Sequence, residues 1–194
     1  GANDSITVAF GTNSSIKQTA AGLYGSFTTT FTIDTQIVGT TTITASGATA
    51  VASNVFVIQP QVYSVLPTSG TVGTVVTIAG TGYGANVAIT VAFGTNSSIK
   101  QTVDSQYGSW TTTFTIDTQR VGTTTITASN ATAVASNVFV IQPQVYSVLP
   151  TSGTVGTVVT IAGTGYGAND SITVVFGTNS NIKQTTGGQY GSWT

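Results

Sequence analysis

Ionisable side chains are scarce in this sequence, and they leave few routes to catalysis. The chain has no histidine and no cysteine, and all five of its acidic residues are aspartates. General acid–base chemistry would therefore fall to aspartate, lysine or tyrosine. Asp34 and Asp117 lie at equivalent positions of successive copies, so this position supplies one carboxylate per copy, whereas glycosidases need a pair and hard cations need several. We therefore predict that the protein is not an enzyme and holds neither a cofactor nor a metal.

A recurring lysine raises a different kind of chemistry, covalent cross-linking within the chain. One hypothesis is an isopeptide bond in which Lys100 is the nucleophile, Asn137 is the acceptor and Asp117 shuttles the proton. The alternative is a solvated lysine on an edge strand, where its charge prevents pairing with another sheet. Because Lys100 falls on the opposite face of its strand from the apolar Ile99, the sequence favours the alternative.

Glycosylation is the third kind of chemistry that the residue spacing suggests. Triplets of the form Asn-x-Ser/Thr, which can accept N-linked glycans, begin at Asn3, Asn13, Asn96, Asn130 and Asn169. Asn3 and Asn169 precede an aspartate, which makes a poorer acceptor. We expect occupancy at Asn96 and Asn130, because charged residues are too few to solvate the surface. The alternative is that such triplets arise by chance in a chain rich in Asn, Ser and Thr.

Three aromatic residues are candidates for a sugar-binding platform: Tyr83, Tyr107 and Trp110. Trp110 alternates in phase with Phe114 and Ile116, which predicts that it belongs to the core. The two tyrosines flank glycine turns, where a tyrosine commonly packs its ring and keeps its hydroxyl hydrated. The pattern favours packing for all three residues, and carbohydrate binding stays open as the alternative.

A long internal repeat determines the domain organisation of the chain, and the domains in turn position the residues named above. Residues 62–86 return unchanged as residues 145–169, an offset of 83. Residues 1–61 align with residues 84–144 at the same offset, and nine of these 61 positions differ. A period of this length predicts tandem domains. We expect a complete repeat at 62–144, the later part of a repeat at 1–61 and the earlier part of a repeat at 145–194.

The complete repeat reads as an all-β domain, because short runs with period-two alternation are separated by Gly, Pro, Ser and Asn. No stretch has the spacing of an amphipathic helix. Strands are predicted at 62–66, 75–79, 88–93, 99–102, 110–116, 123–128 and 134–141. Turns are predicted at 68–73 and 94–98. This pattern favours antiparallel Greek-key sheets packed as an immunoglobulin-like β-sandwich.

The opening third of the repeat resembles the IPT/TIG family of immunoglobulin-like domains. The resemblance rests on the turn at Pro67 and Gly70, the strand residues 76–78 and the corner at 80–83. Residues 108–110 and 139–143 are similar to β-sandwich repeats of bacterial and archaeal surface proteins. The resemblance implies a structural or adhesive module and does not identify a ligand.

The composition of the chain limits which partners it can bind and indicates where the protein is located. Hydrophobic residues make up 40% of the chain, charged residues only 5%, and the formal net charge is −1. Nothing here would attract nucleic acid through bulk charge, and no apolar run is long enough to cross a membrane. A polar surface made of Thr, Ser, Asn and Gln is suited to carrying glycans or to packing against similar domains.

We therefore expect an extracellular or cell-surface stalk or filament that mediates attachment or cell–cell contact, with itself as partner. The alternative is a glycan-binding adhesin module that acts through avidity.

The incomplete outer repeats lead to a last expectation. Residues 1–61 and 145–194 together supply 111 residues for an 83-residue fold, an excess of 28. A subunit adapted for exchanging strands with its neighbours would not carry such a duplication. We therefore expect one continuous array with the same rotation between successive units, and donor-strand assembly between molecules is the alternative.

Overall fold

The computed structural model describes all 194 residues and contains β-strands but no helix. With no helix present, the chain has no long apolar helix that could cross a membrane. The first segment (residues 1–61) contains β1 (Ser5–Phe10), β2 (Asn13–Ala20), β3 (Gly39–Ser46) and β4 (Val51–Ile58), with β5 starting at its last residue. The middle segment (62–144) contains β5 (Gln61–Leu66), β6 (Ser69–Gly70), β7 (Val75–Thr81), β8 (Ala88–Phe93), β9 (Asn96–Val103), β10 (Trp110–Thr115), β11 (Gly122–Ser129) and β12 (Val134–Ile141). The third segment (145–194) contains β13 (Gln144–Leu149), β14 (Thr160–Thr164), β15 (Ser171–Phe176) and β16 (Asn179–Thr186).

The middle segment folds as two sheets that pack face to face. One sheet has the strand order β10–β7–β5, and the other has the order β6–β12–β11–β8–β9. Neighbouring strands are antiparallel, except that the short β6 runs parallel to β12. The chain passes from one sheet to the other between β7 and β8 and returns between β9 and β10. This is the Greek-key sandwich of immunoglobulin-like domains, so the predicted fold class is confirmed.

Alternating residues build the core between these sheets. In β8, Ile89, Val91 and Phe93 are fully buried, whereas the residues between them are partly exposed. The Phe93 ring lies 5.4 Å from the ring of Phe114 and 6.0 Å from that of Phe139, so both sheets contribute to one cluster. The buried members of the cluster are Val62, Val65, Val76, Ile78, Tyr83, Ile89, Val91, Phe93, Trp110, Phe114, Ile116, Ile126, Ala128, Ala133, Phe139 and Ile141.

Two of the predicted turns are partly strand. Only residues 94 and 95 form the turn between β8 and β9, because Gly94 adopts a φ of 54° and reverses the chain in two residues. The polar residues after it, which resemble a longer turn, belong to the edge strand β9, where their side chains meet solvent. Residues 69 and 70, predicted as turn, pair with β12 as β6. The first difference comes from a tight hairpin with the adjacent β8, and the second from pairing with β12, which is remote in sequence.

The outer segments form the same strands where their partners are present. In the first segment, the order β2–β1–β3–β4 repeats the order β9–β8–β11–β12 of the middle segment. The third segment contains the hairpins β13–β14 and β15–β16, and an isolated bridge joins Gly163 to Trp193. No strand pairing links one segment to the next. Contacts between segments must therefore come from loops and side chains.

Candidate functional site at the segment junctions

The residues of the isopeptide hypothesis are held apart, so that hypothesis is wrong. Lys100 on β9 faces Val91 of β8, and Asn137 on β12 faces Ile126 of β11. Since β8 and β11 lie between them, three strand spacings separate Lys100 from Asn137, about 14 Å. The Asn137 amide instead donates to the carbonyl oxygen of Val62 over 3.0 Å. Lys100 is exposed on an edge strand, as the alternative predicted.

Asp117 has a different role, because it anchors a hydrogen-bond network beside β10. Its two carboxylate oxygens accept from the side-chain amides of Asn96 and Gln119, each over 2.8 Å. Gln119 is only 4% exposed, and its side-chain oxygen accepts from the backbone N–H of Thr95 over 3.4 Å. The network ties the loop that follows β10 to the turn between β8 and β9. We call it the Asp117 network.

The first segment contains the same network at the equivalent positions. Asp34 accepts from Asn13 over 2.9 Å and from Gln36 over 2.6 Å, and Gln36 is 5% exposed. Sequence analysis missed the two glutamines, because nothing in their local pattern separates a buried glutamine from an exposed one. The available signal was the repeated Asp-x-Gln spacing at both loops. No three acidic residues come together in the chain, so these carboxylates do not form a cation-binding cluster.

The loop that the network holds in place, which follows β10 in the middle segment, contacts the next segment, and so does its equivalent in the first segment. At the first junction, the backbone N–H of Val38 donates to the carbonyl oxygen of Tyr83 over 2.9 Å. At the second junction, Val121 donates to Tyr166 over 3.3 Å, and both residues lie 83 positions further on. The side chain of Val38 also packs against the core of the middle segment. The two junctions therefore share one contact between equivalent residues.

The connection between segments is short and closely packed. Gly82 has a φ of 75°, and a Cβ on it would lie 2.4 Å from the carbonyl oxygen of Gln59 in the connection. Gly165 has a φ of 73° and stands in the same relation to Gln142, at 2.5 Å. A side chain at either glycine would push the connecting residues away. Glycine therefore lets each segment sit directly against the chain that leads into it.

A glutamine adds a further contact at the second junction. The side-chain amide of Gln144 donates to the carbonyl oxygen of Val72 over 2.9 Å, which joins the start of β13 to the turn before β7. The same amide lies 3.4 Å from the hydroxyl of Thr164. The second junction is thus held by both the loop after β10 and the loop before β7.

The two junctions also differ in the residue that precedes the valine of the shared contact. Arg120, the only arginine in the chain, donates from Nε to the carbonyl oxygen of Gln189 over 2.7 Å across the second junction. The equivalent residue at the first junction is Ile37, which is 48% exposed. Beside Arg120 lies an open cleft of about 560 Å³ between the two segments. Its walls include Gln119, Arg120, Thr123, Thr125 and Tyr190.

Two of the three proposed sugar-platform aromatics are buried. Tyr83 is 0% exposed and Trp110 is 4% exposed, and their rings meet edge to face at 5.6 Å. The Tyr83 hydroxyl donates to the carbonyl oxygen of Ala128 over 3.0 Å, so the expectation of a hydrated hydroxyl is wrong here. Burial raises the pKa of Tyr83 to about 12. Only Tyr107 is accessible, at 47% exposed.

The candidate glycosylation sites differ in the accessibility of the amide nitrogen that would carry the sugar. Asn96 donates from this nitrogen to Asp117, and Asn13 donates to Asp34. The amide nitrogen of Asn130 is buried without a hydrogen-bond partner, while its oxygen accepts from the N–H groups of Thr132 and Ala133.

The remaining two acceptors, Asn3 and Asn169, are exposed in tight turns with φ of 60°. Among the five candidate acceptors, the two exposed ones are therefore the two that precede an aspartate.

No protein-family model matches this chain, and no curated protein matches it. Among solved structures it is similar to a biofilm-associated protein BSP domain, with 17% identity, a TM-score of 0.30 and coverage of 73% of this chain and 25% of that chain. It is similar to the D0–D1 domain of intimin, with 16% identity, a TM-score of 0.27 and coverage of 72% and 83%. It is also similar to a tetra-tandem repeat in the extending region of a large adhesion protein, with 19% identity, a TM-score of 0.33 and coverage of 100% and 58%. The chain thus spans about a quarter of the first of these structures.

Proposed function

We propose that this chain is part of an extracellular stalk or filament, built from tandem immunoglobulin-like repeats, that mediates attachment or cell–cell contact. The observation that carries the proposal is the shared junction contact, Val38 to Tyr83 and Val121 to Tyr166. Interchangeable units joined in the same way are what a spacer needs, whereas a receptor needs one special domain. In this proposal 62–144 is the complete repeat, and 1–61 and 145–194 belong to its neighbours.

Stiffness in such an array would come from the contacts at each junction. A flexible linker needs free residues, but here the connection packs against Gly82 and Gly165 and leaves no slack. The Asp117 network fixes the loop that presents Val121, and Gln144 adds a second point of attachment through Val72. Two separate contacts resist bending better than one, so tension along the chain would be carried by folded units in line.

A surface location and glycosylation belong to the same proposal. With 5% charged residues, the chain depends on uncharged threonine, serine, asparagine and glutamine for most of its polar surface. N-linked sugars at exposed turns would hydrate such a surface. Glycopeptide mass spectrometry of native material tests this part, and bare Asn96 and Asn130 would contradict our expectation for those two sites.

The stalk proposal is tested by the length of a longer array. We expect a polypeptide with residues 62–144 repeated six times to form straight rods in electron micrographs, with a length that grows linearly with the number of repeats. Replacing Gly82 with alanine in every repeat should bend the rods, because the new Cβ would displace the connection. The matched control is Gly73→Ala, since Gly73 also has a positive φ but has no atom within 4 Å of its Cβ position. Coiled particles from the unaltered sequence would refute the proposal.

A second candidate function is glycan binding by the array. The observation that favours it is the cleft at the second junction, where Arg120 and the exposed ring of Tyr190 share one opening. The first junction has Ile37 in place of Arg120, so avidity would come from those junctions of a longer array that carry the arginine. Binding to a glycan panel separates the two candidates, because a stalk without this second function binds none of its members.

A further inference from the structure

The cleft at the second junction contains a cation whose hydrogen-bonding capacity is largely free. A guanidinium has five N–H donors, and Arg120 uses one of them on the carbonyl oxygen of Gln189. That bond joins two residues that both line the cleft, so it holds the guanidinium beside it. The remaining donors form the flat fork that matches a carboxylate in bidentate geometry.

No carboxylate of the chain neutralises this cation. The nearest acid in sequence is Asp117, and both of its oxygens already accept from Asn96 and Gln119. The only ion pair in the chain joins the amino group of Gly1 to Asp4, far from the cleft in sequence. A cation held in place without a counter-charge favours an anionic ligand.

The other walls of the cleft suit a sugar ring. Tyr190 is 46% exposed and presents an aromatic surface. Thr123 and Thr125 are both exposed on β11, and period-two alternation puts their hydroxyl groups on the same face. An aromatic surface that stacks on C–H groups and hydroxyls that hydrogen-bond are the usual components of a carbohydrate site.

We propose that this cleft binds an acidic saccharide, with the sugar carboxylate on the fork of Arg120, the sugar ring on Tyr190 and the sugar hydroxyls on Thr123 and Thr125. This inference rests on the second function proposed above and names its ligand class. A small inorganic anion would use only Arg120 and gain little in an open cleft. A neutral sugar would leave the fork of Arg120 without a partner.

The first junction provides a natural control within the same molecule. It has a tyrosine of matching exposure, Tyr107 at 47%, but Ile37 in place of the arginine. The inference therefore predicts binding at the second junction alone. It also predicts that Ile37→Arg creates a second site.

The experiment is an NMR titration of the full 194-residue chain with an oligosaccharide of glucuronic acid. A neutral glucose oligosaccharide and inorganic sulfate are titrated in parallel. We expect shifts centred on Arg120, Thr125 and Tyr190, binding at least tenfold weaker for the neutral sugar, and only weak effects of sulfate.

Variants then separate the outcomes. Arg120→Ile should weaken binding by at least tenfold, Arg120→Lys by a smaller factor because it keeps the charge but loses the fork, and Tyr107→Ala should change nothing. Glucuronate binding that survives Arg120→Ile, or equal binding of the neutral sugar, overturns the inference but leaves the second function standing. Binding of no glycan at all overturns both and leaves the stalk proposal intact.

Discussion

The middle segment and the two outer segments contain the same sequences, yet they bury them differently. Phe93 is fully buried, whereas Phe176, its equivalent in the third segment, is 74% exposed. Phe139 is fully buried, whereas Phe56 in the first segment is 40% exposed. Side chains of identical type and neighbourhood in sequence thus become core or surface according to whether the other strands of the sandwich are present.

Strand formation shows the same dependence. Trp110–Thr115 forms β10, but residues 27–32, with nearly the same sequence, form no strand. The only strand that pairs with β10 is β7, and the first segment has no strand equivalent to β7. Alternating threonine and aromatic residues therefore permit a strand here but do not create one. This agrees with β-propensity as a property of packing context.

A loop can also cover the apolar side chains of a sheet and bury them. Phe10, the equivalent of Phe93 in the first segment, is fully buried although the opposing sheet is absent. Residues 27–32 form no strand, yet the ring of Phe31 lies 5.5 Å from that of Phe10. The comparison therefore separates two requirements: hydrogen-bond partners make a strand, and any apolar cover makes a core.

The largest expected effect comes from truncating the same phenylalanine in two places. Phe93→Ala should destabilise the middle segment by about 3–5 kcal/mol, because it leaves a cavity in a closed core. Phe176→Ala should cost about 0.5 kcal/mol or less, because that side chain is mostly hydrated already. Hydrogen exchange resolved by segment measures both values. Equal losses for the two variants would mean that the third segment is closed after all.

A smaller effect separates two equivalent tyrosines at alkaline pH. Tyr83 has a pKa of about 12 in the folded chain against an ordinary value of 10.0, so between these values the unfolded chain loses its phenol proton first. The stabilisation is complete below pH 10 and is lost as the pH rises to about 12, by roughly 2–3 kcal/mol. Tyr83→Phe should remove this part of the alkaline loss. Tyr166→Phe should leave it in place, because it does not alter the hydroxyl that donates to Ala128. Unfolding by urea from pH 8 to 12 measures the difference.

The smallest expected difference concerns the Asp117 network, which forms with or without the opposing sheet. Gln119→Ala removes a buried partner from Asp117 and should cost about 1–3 kcal/mol in local opening of the loop. Gln36→Ala should cost a similar amount in the first segment, since its network has the same members. Amide exchange rates at Thr95 and Thr12 measure the two losses. A loss confined to the middle segment would show that the network depends on the second sheet.

The sequence predicted the strands whose residues alternate regularly or are β-branched and whose ends are marked by turn residues. The strands at 88–93 and 134–141 were predicted to the residue, because the first alternates strictly, the second is rich in β-branched residues, and Gly94 and Pro143 lie close to their ends. Trp110 was assigned to the core because its strand also alternates.

Apart from the start of β9, which pairs with the adjacent β8, the missed features depend on partners that are remote in sequence. The short β6 needs β12, the buried Gln119 needs Thr95 and Asp117, and the Tyr83 hydroxyl needs Ala128, 45 residues away. The junction contacts of Val38 and Val121 involve backbone groups, which side-chain patterns do not reveal. The repeat offset identifies Val38 and Val121 as equivalent residues, but it does not show which residues they contact.

The central claim is that successive segments are held stiffly and in the same relative orientation. The chain has no cysteine, so spin labels can be placed on cysteines introduced at the equivalent exposed positions Ser14, Ser97 and Ser180. Pulsed electron–electron double resonance then measures the distance between the labels in the pairs 14/97 and 97/180, one pair for each junction. The shared contacts predict two narrow distance distributions with the same mean. Broad distributions, or narrow ones with different means, would contradict the claim.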